Sequence, residues 1–250
     1  MNKTRLPAFV SALAGAAVLL LLWHLGSLAL NKPFLPTPAA SFEAFFRLSL
    51  SGGMAMHFAL SAARVLAGTA IALVAAVPTG IFLSSGSAAA QACRPVIAML
   101  YPIPKVVFLP VFIVLLGLGN TPKILLVSVV IFFQIAVVTR DAAASIPPAS
   151  MLSMRSLHAG RLQILRHLVL PYCFPQILTS LRVTTGTAIA VLFFAETFAS
   201  FDGLGYFILE GMETREYAAM YAGIIGMALL GLLFYAAIGA VERIFCRWRH

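Results

Sequence analysis

Three stretches of this chain carry no charged side chain at all: Leu6 to Leu30, Val65 to Cys93 and Tyr217 to Val241. A helix that crosses the hydrocarbon core of a bilayer needs about 20 mostly apolar residues at about 1.5 Å rise each, so each run is long enough to span alone. Val106 to Pro122, Ile124 to Thr139 and Val183 to Ala195 are shorter, and reach spanning length when flanking charges snorkel or sit in protein-lined cavities. The spacing predicts six spans, at 8–30, 58–84, 96–118, 122–139, 176–199 and 218–242, and hence an all-α polytopic bundle. Pro95, Pro102, Pro104 and Pro110 interrupt the third span and Lys105 lies inside it, so a kinked or broken helix is expected there.

Composition agrees. Hydrophobic residues make up 61% of the chain and charged residues 10%, far below the roughly one quarter of a soluble globular domain. Disorder and collagen-like repeats are excluded more firmly still. Seventeen Lys and Arg against eight Asp and Glu give a net charge of +9, which in a soluble protein would point to nucleic acid. In a membrane chain the same charge is read first as topology, and no nucleic-acid partner is expected.

The basic residues fall mostly on one side. With the N-terminus in the cytoplasm, the inner set is Lys3, Arg5, Arg94, Arg140, Arg155, Arg161, Arg166, Arg243, Arg247 and Arg249. Lys32, Arg47, Lys123 and Arg215 then lie outside, and Arg64, Lys105 and Arg182 lie within or at the ends of spans. The positive-inside rule favours this orientation, and an even number of spans returns the C-terminus to the cytoplasm. The apolar stretch after Lys3 and Arg5 exceeds the roughly 7 to 15 residues of a signal-peptide core and no Ala-x-Ala site follows it, so it is read as the first span. Cys93, Cys173 and Cys246 are too few and scattered for a disulfide framework and read as reduced structural cysteines. Phe42, Phe45 and Phe46 fall at helical spacing within 41–50, a short helix that either lies in the outer interface or packs on the bundle. With no internal repeat, one membrane domain over 1–250 accounts for the chain.

The longest hydrophilic inner segment carries Arg140, Arg155, Arg161 and Arg166, with Asp141 its one acid, interleaved with Leu157, Leu162, Ile164, Leu165 and Leu168. Basic and apolar side chains presented together suit docking to a protein partner or to anionic lipid headgroups. The segment also resembles the cytoplasmic loop of membrane subunits of ATP-binding-cassette importers, a Glu-Ala-Ala, Gly, Ile-x-Leu-Pro pattern. Anchoring on Leu170 and Pro171 places its Ile at Leu168, its Gly at His158 and its Glu-Ala-Ala at Leu152, Ser153 and Met154. The spacing fits while the identities depart. Arg155-Ser-Leu-His-Ala-Gly-Arg onward is similar to the nitrate, sulfonate and taurine branch of these permeases. So are Ser61-Ala-Ala-Arg, Pro102-Ile-Pro-Lys, Gly117-Leu-Gly-Asn-Thr-Pro-Lys, and Glu196 with Gly203-Leu-Gly-Tyr, in the right order across the chain.

The resemblance implies a type I importer permease fold in a bacterial inner membrane. It also implies a second permease copy, with the solute passing along the subunit interface, and an external solute-binding protein. A separate ATPase, which would hold the ATP and Mg, is expected to grip the coupling loop, residues 140–171. No Gly-x-x-x-x-Gly-Lys-Ser/Thr loop occurs in the sequence, which agrees with ATP chemistry lying elsewhere and with a transport subunit that is not an enzyme and binds no cofactor of its own. The implied solute is a small oxyanion such as nitrate, a sulfonate or taurine, or a vitamin precursor. At the loop, Leu152 lacks the family's acid, and His158 takes left-handed geometry only at a cost that Gly160 would avoid. Docking is therefore expected to use apolar contact together with Arg155, Arg161 and Arg166.

Charges inside spans are the remaining candidates for a pathway, since placing one at the bilayer centre costs a few kcal/mol. Arg64 and Glu196 fall at similar depth near the outer side, so they either pair or snorkel separately; an unpaired Arg64 would suit a passing anion. Lys105 and Arg182 at span entries are read as helix-end caps or snorkelling side chains, or else as solute contacts. Two other classes stand as alternatives. A membrane-embedded enzyme would need clustered ligands, whereas His24, His57, His158, His167 and His250 are scattered. A secondary transporter or channel would usually show inverted repeats or several buried acids.

Overall fold

The structure is a computed structural model that describes residues 8–51, 53–198 and 200–246. Lys3, Arg5, Arg247 and Arg249 of the inner basic set lie outside the described residues. Every regular element among the described residues is helical. They run α1 (Ala8–Leu30), α2 (Pro38–Leu50), α3 (Gly53–Ser84), α4 (Ala88–Leu100), a 3₁₀ turn (Lys105–Phe108), α5 (Leu109–Leu116), α6 (Asn120–Ala144), α7 (Pro148–Ser156), α8 (Arg161–Ile164), a π turn (Leu165–Val169), α9 (Leu170–Thr197), α10 (Leu204–Glu213) and α11 (Tyr217–Phe245).

Five of these helical stretches are long and apolar enough to cross a membrane, and a sixth crossing is made if α4 and Lys105–Leu116 count as one broken span. The break is a 92° bend at Tyr101 to Pro104, where two prolines remove backbone donors and disfavour helix in the residues before them. The third span is thus broken, as its prolines predict. Several helices run past the predicted spans. The second begins at Gly53 rather than 58, the broken third at Ala88 rather than 96, and the fourth ends at Ala144 rather than 139. The helix of the fifth begins before 176, running without interruption from Arg161 to Thr197 through the π turn, so its first turns belong to the loop.

The core is built on α3, α6 and α9. Glycines let α3 lie against α6: a Cβ on Gly68 would sit 2.8 Å from Val127 Cγ1, and one on Gly80 would sit 2.6 Å from the Ala136 carbonyl. Val65, Ala72, Leu126, Val127, Ile131, Ile135 and Leu192 fill the space between them and are sealed from solvent. In a bilayer such packing, rather than exclusion of water, holds helices together. The helix from the phenylalanine cluster begins at Pro38, capped by Thr37 Oγ1, which accepts the Ala40 N–H at 3.3 Å. It packs on α11 and α3 with Ala44 buried and Phe45 against the core, while Phe46 stays 62% exposed. By contrast, α1 leaves most of its leucines exposed and is tied down near its end by Trp23, whose Nε1–H donates to Pro36 O at 3.1 Å and whose ring stacks on Tyr221. No disulfide joins Cys93, Cys173 and Cys246.

Candidate functional site

Both ends of the α3, α6 and α9 core carry features with chemical content. At the end where α3 and α6 begin and α9 finishes, four charges converge. Arg64 on α3 is 2% exposed and Glu196 on α9 is 0% exposed, and Nη1 of the first donates to Oε1 of the second at 2.7 Å. The paired alternative of the sequence reading is the one found. The rest of the guanidinium is also engaged: Nε and Nη2 donate to Asn120 Oδ1 at 2.8 and 2.6 Å, Nη1 to the Asp202 carbonyl at 3.3 Å, and Nη2 also contacts Asp202 Oδ1. A guanidinium has no other donors. Arg64 therefore has none left for a passing anion, and neither it nor Glu196 faces an open path.

Glu196 is satisfied from its other side. Ser61 Oγ lies 2.8 Å from both carboxylate oxygens and accepts the Leu204 N–H at 2.8 Å, and the Gly205 N–H donates to Oε2 at 2.9 Å. The turn before α10 presents these amides because Gly203 adopts φ +98°, which an L side chain rarely reaches, and its N–H donates to His57 Nδ1 at 3.0 Å.

Two members were not foreseen. Lys123 and Asp202 read from sequence as external charges, yet Lys123 is 4% exposed, donates to Ser200 Oγ, and stands 3.5 Å from Asp202 Oδ1. Burial alone would raise the Asp202 carboxyl, but the Arg64 hydrogen bond and charge, followed by those of Lys123, hold it below its ordinary value. Two cations and two anions balance, the half-exposed Asp202 among them, so the cluster fastens α3, α6, α9 and the 200–203 turn with no net charge. The only sequence sign of it was that Gly117-Leu-Gly-Asn-Thr-Pro-Lys and Gly203-Leu-Gly-Tyr, both singled out above, border its members.

The other in-span cations act locally. Lys105 Nζ donates to the carbonyl of Leu100 at 3.1 Å and to that of Tyr101, closing the free C-terminal carbonyls of α4, and lies 4.7 Å from the Phe133 ring centroid. Arg182 pairs with Glu242 of α11 at 3.1 Å and lies over the Tyr235 ring.

At the opposite end α7 and α8 form the loop. Here His158 has φ +55° and closes α7: its N–H donates to Arg155 O at 2.9 Å and that of Ala159 to Met154 O at 3.1 Å, the Schellman pair of bonds. Gly160, expected to supply the turn, instead caps α8 with φ −69°, its N–H donating to Gln163 Oε1 at 2.8 Å. The left-handed position is thus occupied by a histidine at the place where the importer pattern has glycine. Leu152, Leu157 and Leu162 are 66%, 78% and 75% exposed, and Ser153, Arg155, Arg161 and Arg166 are exposed beside them, with Met154 half-buried. Leu170 and Pro171 follow directly on the π turn inside the continuous helix, where the missing N–H of Pro171 withdraws one donor from the backbone ladder.

Residues 68–245 match the family model described as binding-protein-dependent transport system inner membrane component. The chain belongs to this family. Relatives of this permease include the taurine transport system permease protein TauC of Escherichia coli, 28% identical over 93% of this chain and 87% of that one. The putative aliphatic sulfonates transport permease protein SsuC of Bacillus subtilis is 28% identical over 94% of this chain and 86% of its own. Formylaminopyrimidine transport permease protein ThiX of Halalkalibacterium halodurans is 25% identical over 93% of each. Among solved structures, an inward-facing crystal form of the MetNI methionine ABC transporter superposes with TM-score 0.65 at 19% identity, over 77% of this chain and 95% of that chain. A bacterial ABC transporter involved in import of the polysaccharide alginate superposes with TM-score 0.61 at 18% identity, over 94% of this chain and 95% of that one. The permease is therefore a multi-pass inner-membrane transport subunit of an ABC importer, of the sulfonate and taurine branch that the sequence segments indicated.

Proposed function

We propose that two copies of this permease enclose a pathway for a small oxyanion, sulfonate-like or taurine-like, delivered by an external solute-binding protein and driven by a separate ATPase that binds ATP and Mg. A vitamin-precursor-like solute is the other substrate class that the relatives' names support. Both termini face the cytoplasm in this reading, as does the α7–α8 loop.

The observation that carries the reading is the exposed loop. Two short helices joined at His158 hold Leu152, Leu157 and Leu162 out of the bundle together with Arg155 and Arg161. Exposed leucines interleaved with arginines fit an apolar, acidic cleft on a partner. Beyond the loop the chain continues as one helix to the charge cluster, so a partner that moves α8 moves α9.

Coexpression with a candidate partner ATPase of the importer class tests this. Wild-type permease should bring the ATPase down in detergent, and the triple variant Arg155→Glu, Arg161→Glu, Arg166→Glu should lose it at moderate salt. Retention of the ATPase by the triple variant at wild-type levels would remove the docking assignment.

A further inference from the structure

The break in the third span leaves a recess in the middle of the membrane domain, largely apolar in its walls but edged by Tyr101, Lys105, Gln134 and Thr187. It has a volume of about 290 Å³ and is lined by Tyr101, Lys105, Phe133, Gln134, Thr187 and Val191 among others, with no carboxylate among its lining residues. Gln134 lies about 21 Å along α6 from Asn120 and about 15 Å from Ala144, and Thr187 lies about 15 Å from the end of α9 at Thr197. The recess is thus far from both ends of the bundle, a depth that phospholipid phosphates do not occupy.

Its donors are partly uncommitted. Lys105 spends two ammonium N–H groups on the carbonyls of Leu100 and Tyr101 and keeps one with no hydrogen-bond acceptor among the described residues. Tyr101 Oη donates to Gln134 Oε1 at 2.7 Å, which fixes that amide and leaves its NH₂ facing no protein acceptor. Thr187 adds a hydroxyl from α9. Gln134 also lines a second recess of about 330 Å³ with Gln176 and Thr179, so polar side chains continue along the α6–α9 face toward the loop end.

The geometry points to a solute-binding site here for a monoanion with three acceptor oxygens and a short organic tail, a small sulfonate by class. One cation without a carboxylate neighbour matches a single negative charge. An ammonium, an amide NH₂ and a hydroxyl match three oxygens, and Phe133, Val130 and Val191 form an apolar wall for the tail. In broken-helix transporters, free carbonyls at such a break attract a mobile cation; here the chain's own lysine holds them, which turns the break from cation-selective to anion-selective. The site rests on the transport reading above and assigns that pathway a binding residue.

Trifluoromethanesulfonate is a suitable probe, because its ¹⁹F line reports weak binding to the intact permease in nanodiscs of zwitterionic lipid. Wild type should broaden the line, and ethanesulfonate should compete while ethylammonium should not. Lys105→Met should weaken binding at least tenfold. Because that variant also uncaps α4, and Gln134→Leu removes the acceptor of the α4 cap residue Tyr101, Thr187→Val is measured beside both; it lies in the middle of α9 and should weaken binding several-fold with unchanged thermal unfolding, and Gln134→Leu should weaken binding several-fold as well. No broadening by wild type, or undiminished binding by all three folded variants, overturns the site. So does loss of the signal in nanodiscs containing anionic lipid, which would assign the recess to headgroups. A permease that retains its ATPase but shows no probe binding loses this site and keeps the transport reading; one that binds the probe without an ATPase does the reverse.

Discussion

Arg64 and Glu196 stand 132 residues apart in the chain and 2.7 Å apart in space, both almost wholly sealed from solvent. Two charges removed from water are expensive, and their attraction repays that cost only when the remaining hydrogen-bonding capacity is also met. It is met here by Asn120, Ser61 and the Gly205 amide. The pair is worth more as a fastening of specific helices to one another than as a net source of stability.

Removing either partner strands the other. Glu196→Ala or Arg64→Ala should each cost about 3–5 kcal/mol, read as loss of unfolding free energy in mixed micelles. The double variant should cost less than the sum of the two, and full additivity would show that the charges do not interact.

Gly203→Ala tests the turn that presents the amides. At φ +98° an alanine is strained whatever the space around it, and its Cβ would be driven into the Glu196 carboxylate. A loss of about 2 kcal/mol or more is expected from the combined backbone and steric terms, measured by the same unfolding assay. A neutral result would mean that the turn re-forms without its amides on Glu196.

At His158 the backbone cost can be relieved by substitution. With φ +55°, His158→Gly removes a Cβ penalty of about 1 kcal/mol, whereas His158→Val worsens it. Amide hydrogen exchange at His158 and Ala159, the two donors that close α7, should slow in the first variant and quicken in the second. Equal exchange in both would rule out a strained position there.

Acid should act on Asp202 in one direction only. Its folded carboxyl lies below the ordinary value of 3.8, so its contribution is fully present above that pH and is lost as the pH falls through the lower folded value. The stability difference between wild type and Asp202→Asn should therefore be flat from about pH 5 to 8 and shrink below the ordinary value. A difference that changes between pH 6 and 8 would place the titration on another group.

How far these features were legible follows from their range in the chain. Local patterns carried well: the charge-free run to Leu30 became α1, and the prolines around Tyr101 became the 92° bend. The meeting of Arg64 with Glu196 was legible only as one of two outcomes, because two costly charges at one depth either pair or snorkel separately and the sequence does not choose between them. Lys123 and Asp202 escaped because each is acceptable at an exposed span end, and only the tertiary fold buries Lys123 and brings Asp202 against it. The loop turn fell to His158 rather than Gly160 because α7 runs to Ser156, which fixes the left-handed cap two residues on, where Gly160 is too late and is used to start α8. The helix of the fifth span extends back to Arg161 because a π turn accommodates Arg166 and His167 without stopping it.

That uninterrupted helix has a mechanical consequence. From Arg161 to Thr197 it is about 55 Å long, with its first residues in the exposed loop and Glu196 one residue from its far end. Loop and ion pair are thus the two arms of a single lever, and its fulcrum is wherever α9 bears on α6. Tilting the short arm by a few degrees asks the long arm either to drag α3 with it through Arg64 or to let go.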